Sequence, residues 1–197
     1  MSGGIVPPGI FYYYLYFHFS MIRIAITSDH SVDNEAERIA ELLRNRFDIV
    51  HLRKPTWTAD ECRRLLDKID SRLYKQIVIH DFYELYTEYN LRGIHLTGRH
   101  PEVPEGLKPE HVSCSCHSFE EVVRHKDAMN YVFLSPIFDS ISKTGYKSPF
   151  TNEMLKQAAS QNIIDGKVVA LGGITDERVS VIEEIGFGGY AMLGNVW

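Results

Sequence analysis

The run Val168-Val169-Ala170-Leu171-Gly172-Gly173-Ile174-Thr175 decides the fold. Its first four residues are apolar and β-prone, as expected of a strand buried on both faces of a parallel sheet. Two glycines at the carboxyl end let backbone N–H groups approach a ligand closely, because no Cβ intervenes. Thr175 is placed to cap a helix, with Asp176 and Glu177 at the positive end of its dipole. A second run of this kind, Gly189-Tyr190-Ala191-Met192-Leu193-Gly194, follows after one helix. Two consecutive strand–glycine ends near the C-terminus are where a (β/α)8 barrel keeps its phosphate site.

Upstream of this pair, strand and helix patterns alternate. Strands are predicted over 22–27, 49–52, 76–80, 93–96, 111–116 and 131–134. Asp33 is expected to cap a helix running to Phe47, with Ala36, Ile39, Ala40 and Leu43 on its buried stripe. Thr58 caps a helix carrying Cys62, Leu65, Leu66 and Ile69. A short helix spans Tyr83 to Tyr89. Ser118 caps one containing Phe119, Val122 and Val123, and another covers Asn152 to Ser160. The last runs from Asp176 to Ile185. Thr97 to Pro109 is rich in proline and reads as a loop in place of the fourth helix. The fold class is therefore α/β, a (β/α)8 TIM barrel. Its final, eighth helix is truncated, since the chain stops soon after Gly194, and apolar surface on the first and seventh helices is expected to be exposed.

The chain has 197 residues, enough for one domain with a substantial core. Its net charge of -5, without a long Lys or Arg block, argues against nucleic acid as a partner. Three cysteines make no even disulfide framework and suit a reducing cytoplasm. Cys114-x-Cys116 is read as sending its sulfurs to opposite faces and not as a zinc pair. Residues 1–20 carry an aromatic run, Ile10 to Phe19, without the basic flank of a signal peptide and too short to span a bilayer. They are read as a non-native or disordered leader, with Met21 as the natural start and 21–197 as the single barrel domain. No membrane partner is expected.

In a barrel of this type the active site lies at the carboxyl ends of the strands. Those ends carry Arg53 and Lys54, His80 and Asp81, His95 to His100, Ser115 and His117, Ser140 to Lys143, Gly172 and Gly173, and Leu193 and Gly194. Cations, imidazoles, hydroxyls and glycines at one rim suit phosphate binding and proton transfer.

The motifs His51-Leu52-Arg53-Lys54, Ile79-His80-Asp81, Gly93-Ile94-His95-Leu96, Ser115-Cys116-His117-Ser118, Ser135-Pro136-Ile137-Phe138-Asp139-Ser140-Ile141-Ser142-Lys143 and Ala170-Leu171-Gly172-Gly173-Ile174 occur in order from Met21 onward. Together they resemble the thiamine phosphate synthase family and its TenI-like relatives, and the Ser-Pro-Ile-Phe…Ser-Lys stretch is the most specific. The resemblance implies an enzyme that joins a thiazole phosphate to a pyrimidine methyl pyrophosphate, with Mg²⁺ and cationic side chains helping pyrophosphate leave. By position it implies Arg53 and Lys143 on pyrophosphate, with Lys54 within reach, Asp81 on the metal, and Ser115 near the pyrimidine. Ser140, Ser142, Gly172, Gly173, Leu193 and Gly194 would hold the thiazole phosphate. The small phosphorylated substrates are the expected partners, and self-association into a homo-oligomer is compatible with the sequence.

The chain departs from the synthase pattern on the pyrophosphate side. His80 replaces the Asn before the metal-binding Asp, and Phe82 replaces the Arg after it. The position of a second metal-binding Asp falls near His100, and Pro55 stands where a lysine is usual. A second activity is therefore open: a TenI-like thiazole tautomerase needing no cofactor, with His117 as acid/base, imidazole being the side chain suited to proton transfer at neutral pH. Non-catalytic binding of thiazole phosphate is a third reading.

Overall fold

The computed structural model describes residues 21–139, 147–194 and 196–197. The expectation for residues 1–20 lies outside them. The elements follow one another as β1 (Ile22–Ile26), α1 (Glu35–Asn45), β2 (Ile49–Leu52), α2 (Ala59–Leu66), β3 (Ile77–Ile79), α3 (Glu84–Glu88), β4 (Gly93–Leu96), β5 (Val112–Cys116), α4 (Phe119–His125), β6 (Tyr131–Leu134), α5 (Asn152–Ser160), β7 (Val168–Leu171), α6 (Val179–Ile185) and β8 (Gly189–Met192). The eight strands form a closed barrel in sequence order. All eight neighbouring pairs are parallel, including β1 with β8, which closes the ring. Closure demands a glycine at Gly189, where a Cβ would stand 2.3 Å from the Ile22 carbonyl oxygen. No helix bridges β4 and β5; a short Thr97–His100 bridge stands in the connection read as a loop.

Strand alternation divides the core in two. Ile24, Ile26, Ile49, Val78, Tyr131, Phe133, Val169 and Ala191 fill the barrel interior. The outward-facing set, including Ala25, Val50, Leu52, Ile77, Ile79, Ile94 and Ala170, packs under the helices. Cys114 and Cys116 belong together in this outer set, both buried. The expectation of opposite faces is corrected: residues two apart on a strand share a face.

Local signals at the helix starts are mostly realised. Thr58 makes a capping box with Glu61, and Ser118 and Thr151 accept bonds from Glu121 and Met154. Asp33 does not cap α1. That place falls to Asn34, which sits at φ 54° without a side-chain capping bond, and the helix ends at Asn45 rather than Phe47. Thr175 likewise makes no capping bond, and the last predicted helix divides into a 3₁₀ turn at Asp176–Arg178 followed by α6. Val123, expected on the buried stripe of α4, is 60% exposed. After β8 no helix follows among the described residues. Val196 is buried, and the Trp197 indole donates to the Ile26 carbonyl at 2.6 Å.

Lys54 is corrected as a mouth residue. Arg53 shares the inward phase of His51, so its neighbour turns outward toward α1. There the Lys54 ammonium meets both Glu35 carboxylate oxygens, at 2.6 and 2.9 Å, and the His30 carbonyl at 2.9 Å. The pair is 1% and 4% exposed, with the ammonium 4.3 Å above the Trp57 ring. Lys54 ties α1 to the end of β2 and has no access to a ligand. Lys54→Ala, which strands the Glu35 charge, is expected to cost about 3–5 kcal/mol in urea unfolding, whereas Glu35→Leu combined with Lys54→Met restores most of it. An unchanged unfolding midpoint for Lys54→Ala would refute this assignment.

Candidate active site at the barrel mouth

One side of the mouth is built by the ends of β2, β3 and β4. Thr27, fully buried, clamps the end of β2: its Oγ1 accepts from the Arg53 N–H at 2.9 Å and donates to the Arg53 carbonyl at 3.0 Å. This pair of hydrogen bonds fixes the backbone from which the Arg53 side chain starts. Asp81, 6% exposed just past β3, faces the Arg99 guanidinium at 3.1 Å and His100 Nε2 at 3.4 Å through Oδ1. Its Oδ2 is buried with no hydrogen-bond partner. Arg53 and Arg99 both lie close enough to His80 to disfavour its protonated form. Arg53, His80 and Asp81 are thus brought together, joined by Arg99 and His100, and Arg99 had no assigned role in the sequence reading.

Below them, imidazoles occupy the barrel interior. His51 from β2, His95 from β4 and Phe133 from β6 come from alternate strands, with ring centroids 4.8 to 5.2 Å apart. His80 stacks on His95 at 4.2 Å, and His51 Nδ1 meets His80 Nε2 at 2.8 Å. His51 Nε2 bonds the Tyr131 hydroxyl. His95 lies between two serine hydroxyls, Ser113 at Nδ1 (2.8 Å) and Ser115 at Nε2 (2.9 Å). The Tyr83 hydroxyl donates to the His95 carbonyl at 2.7 Å, holding the end of β4 from outside. Ser115, expected near a substrate, is therefore the mouth-side end of a buried polar network. His51 was missed as a member; its two-residue spacing from Arg53 is the signal that put it on the inward face.

Burial is the main cause that keeps these imidazoles uncharged. It holds His51 and His80 well below the ordinary histidine value, His95 at about 3 and, lower in the barrel, His111 at about 4. The mutual repulsion of neighbouring cations adds to it.

The other side of the mouth is made by β5 to β8. His117 is exposed past β5, and its Nδ1 faces the Ser135 carbonyl at 3.0 Å. A carbonyl can only accept, so the proton sits on Nδ1 and leaves Nε2 as a free base or acceptor. Gly172 and Gly173 have positive φ, 97° and 64°. A Cβ on Gly172 would lie 2.8 Å from Pro136 Cα, and one on Gly173 would lie 2.5 Å from the Asp139 carbonyl oxygen. Both glycines are thus required by the close approach of the β6 loop, whose Ile137 and Phe138 amides donate to Leu171 and Gly172 carbonyls. Leu193 and Gly194 are exposed beyond β8. Ser140, Ser142 and Lys143 lie outside the described residues.

The neutral interior histidines set the acid stability. Unfolded, each imidazole takes up a proton as pH falls through about 6.5; folded, it does so only far lower. Unfolding therefore takes up protons between these values, and stability is lost as pH falls from about 6.5 toward 4. Urea unfolding at stepped pH is expected to show this loss at about 1.4 kcal/mol per pH unit for each imidazole involved. His111→Asn should make the slope shallower by about one proton; an unchanged slope would count against a neutral buried His111.

Comparison with known proteins agrees with this architecture. The family model described as thiamine monophosphate synthase matches residues 23–196. The thiamine phosphate pyrophosphorylase of Bacteroides thetaiotaomicron is a similar solved structure, with 41% identity, a TM-score of 0.82, and coverage of 90% of this chain and 85% of that one. The thiamine-phosphate synthase of Shouchella clausii is 26% identical over 172 residues, 82% of this chain and 81% of that protein. The Pyrococcus furiosus thiamine phosphate pyrophosphorylase, 18% identical with a TM-score of 0.70 over 88% of this chain, shares the fold. The chain belongs to the thiamine monophosphate synthase family.

Proposed function

We propose that this chain is a thiamine-phosphate synthase, joining a pyrimidine methyl pyrophosphate to a thiazole phosphate with release of pyrophosphate. The observation that carries the reading is the grouping of Arg53, Arg99, His100 and Asp81 at one side of the mouth, in a chain with these relatives. In the reaction the bond from the pyrimidine methylene to the pyrophosphate oxygen breaks with its electron pair leaving on pyrophosphate. The thiazole nitrogen then donates its lone pair to the cationic methylene. The barrier lies in the charge gathering on pyrophosphate, which preorganised cations stabilise.

Arg53, held by the Thr27 clamp, and Arg99 are assigned to that charge, as is Lys143 by the family motif. Mg²⁺ fits Asp81 through the buried Oδ2 that lacks a partner, since this ion is commonly held by one or two carboxylates together with substrate phosphates. When bound it would supply further neutralisation of the leaving group. Ser115, steadied by His95, is assigned to the pyrimidine. Ser140, Ser142, Gly172, Gly173, Leu193 and Gly194 are assigned to the thiazole phosphate. The coupling places no proton on carbon, so His117 is assigned contact with substrate rather than acid/base chemistry. The names of the relatives favour this reaction over tautomerisation. Three free cysteines suit a reducing cytoplasm.

The test is incubation of the full chain with both substrates and Mg²⁺, following thiamine phosphate and pyrophosphate together. Equimolar formation of the two is expected, and the absence of either product would overturn the reading. Arg53→Ala should lower kcat by about 10²–10³-fold, as does removal of one preorganised donor elsewhere. His117→Ala should change it far less; the reverse order would favour a proton-transfer role for His117.

A further inference from the structure

We propose that His51, His80 and His95 form a buried binding site for one divalent transition-metal ion of the zinc type. Each of the three offers a ring nitrogen, and these nitrogens lie within 4.8 Å of one another. The three residues are 0%, 3% and 0% exposed, so the site would lie beneath the mouth, shielded from bulk water. Its donor set contains no carboxylate, which distinguishes it from the Asp81 position. Three imidazoles with an open fourth place are a common zinc arrangement, whereas Mg²⁺ prefers oxygen.

Two further observations support the site. Burial keeps all three imidazoles neutral, the form that binds metals. Two of the rings are already oriented from behind: Tyr131 holds His51 at Nε2, and Ser113 holds His95 at Nδ1. Partners of this kind fix the tautomer and direction of a ligating histidine. For His51 Nδ1 to bind, its proton must sit on Nε2, where the Tyr131 oxygen accepts it.

Binding requires adjustment: His95 Nε2, the nitrogen left for the ion, must give up its 2.9 Å bond to Ser115. His51 Nδ1 and His80 Nε2 are hydrogen-bonded at 2.8 Å, closer than two ligands of one ion, and would move apart slightly. Bonds of about 2.0–2.1 Å from each nitrogen also require the widest pair in the group to draw in, by an amount on the order of 1 Å.

The experiment uses the full chain freed of metal by chelation and dialysis, titrated with ZnCl₂ by calorimetry and with CoCl₂ by visible absorption. One equivalent of each ion is expected to bind. The Co²⁺ form should show the intense ligand-field bands of a four-coordinate nitrogen site, and excess MgCl₂ should not displace either ion. His51→Asn and His80→Asn should each weaken binding by more than the ~10–100-fold typical of losing an outer partner. His30→Ala, at an exposed histidine, should leave it unchanged. Thermal melting of both site variants reports whether they fold. If they do not, zinc X-ray absorption of the wild-type chain decides by its imidazole count. Three imidazole nitrogens near 2.0–2.1 Å support the site. Absence of stoichiometric uptake, binding that survives both site variants, or fewer than three imidazoles overturns it.

Discussion

Closing eight parallel strands into a ring leaves every strand residue one of two destinations, the barrel interior or the layer under the helices. That alternation governs the rest of this molecule. It separates Arg53, which shares the inward phase of His51, from Lys54, which turns out to meet Glu35. It sets His51 and His95 beside Phe133 across the axis and sends Cys114 and Cys116 together into the outer core. A slip of one residue in any strand would exchange these roles, and the close fit of Gly189 against Ile22 leaves no room for a side chain where the ring closes.

The interior so created is unusual in its polarity. Its lower part and the mouth-facing part hold four imidazoles, a phenol and two serine hydroxyls beside the aliphatic residues of β1, β7 and β8. Polar groups removed from water are costly unless hydrogen-bonded, and here the network from His80 through His51 to Tyr131, and from Ser113 through His95 to Ser115, satisfies most of them. The exceptions are His80 Nδ1 and His111 Nε2, buried without a hydrogen-bond partner. Preorganised polar groups beneath a mouth lined with arginines suit a reaction whose difficulty is charge separation.

The rim shows how much of the site was legible in the chain. Residues on or just after strands, such as Arg53, His80, Asp81 and Ser115, fell where their place in the strand pattern put them. Arg99 and His100 were harder to assign, because they come from an irregular connection and reach Asp81 only through the fold. Gly172 and Gly173 were read from the sequence as openings for a ligand. The structure adds a packing reason, since Pro136, Phe138 and Asp139 occupy the space their side chains would need. The expected exposure of apolar surface on the first and seventh helices is not met: α1 buries Ile39, Leu42 and Leu43, α6 buries Ile182 and Ile185, and Val196 and Trp197 fold back over the barrel end.

The sequence by itself determined the alternation of strand and helix, the barrel, the family and the rim on which chemistry sits, because hydrophobic period and turn residues are local signals. Tertiary structure alone decided which charges are free and which are spent. Lys54 and Arg53 are neighbours with the same sign of charge, yet one is locked to Glu35 and the other stands at the mouth. His51, His80 and His95 are separated by helices and turns along the chain, and only the parallel pairing of β2 with β3 and β3 with β4 brings their nitrogens within 4.8 Å. Burial then sets their charge, since desolvation acts on a group through everything packed around it and through nothing that its own sequence neighbours reveal.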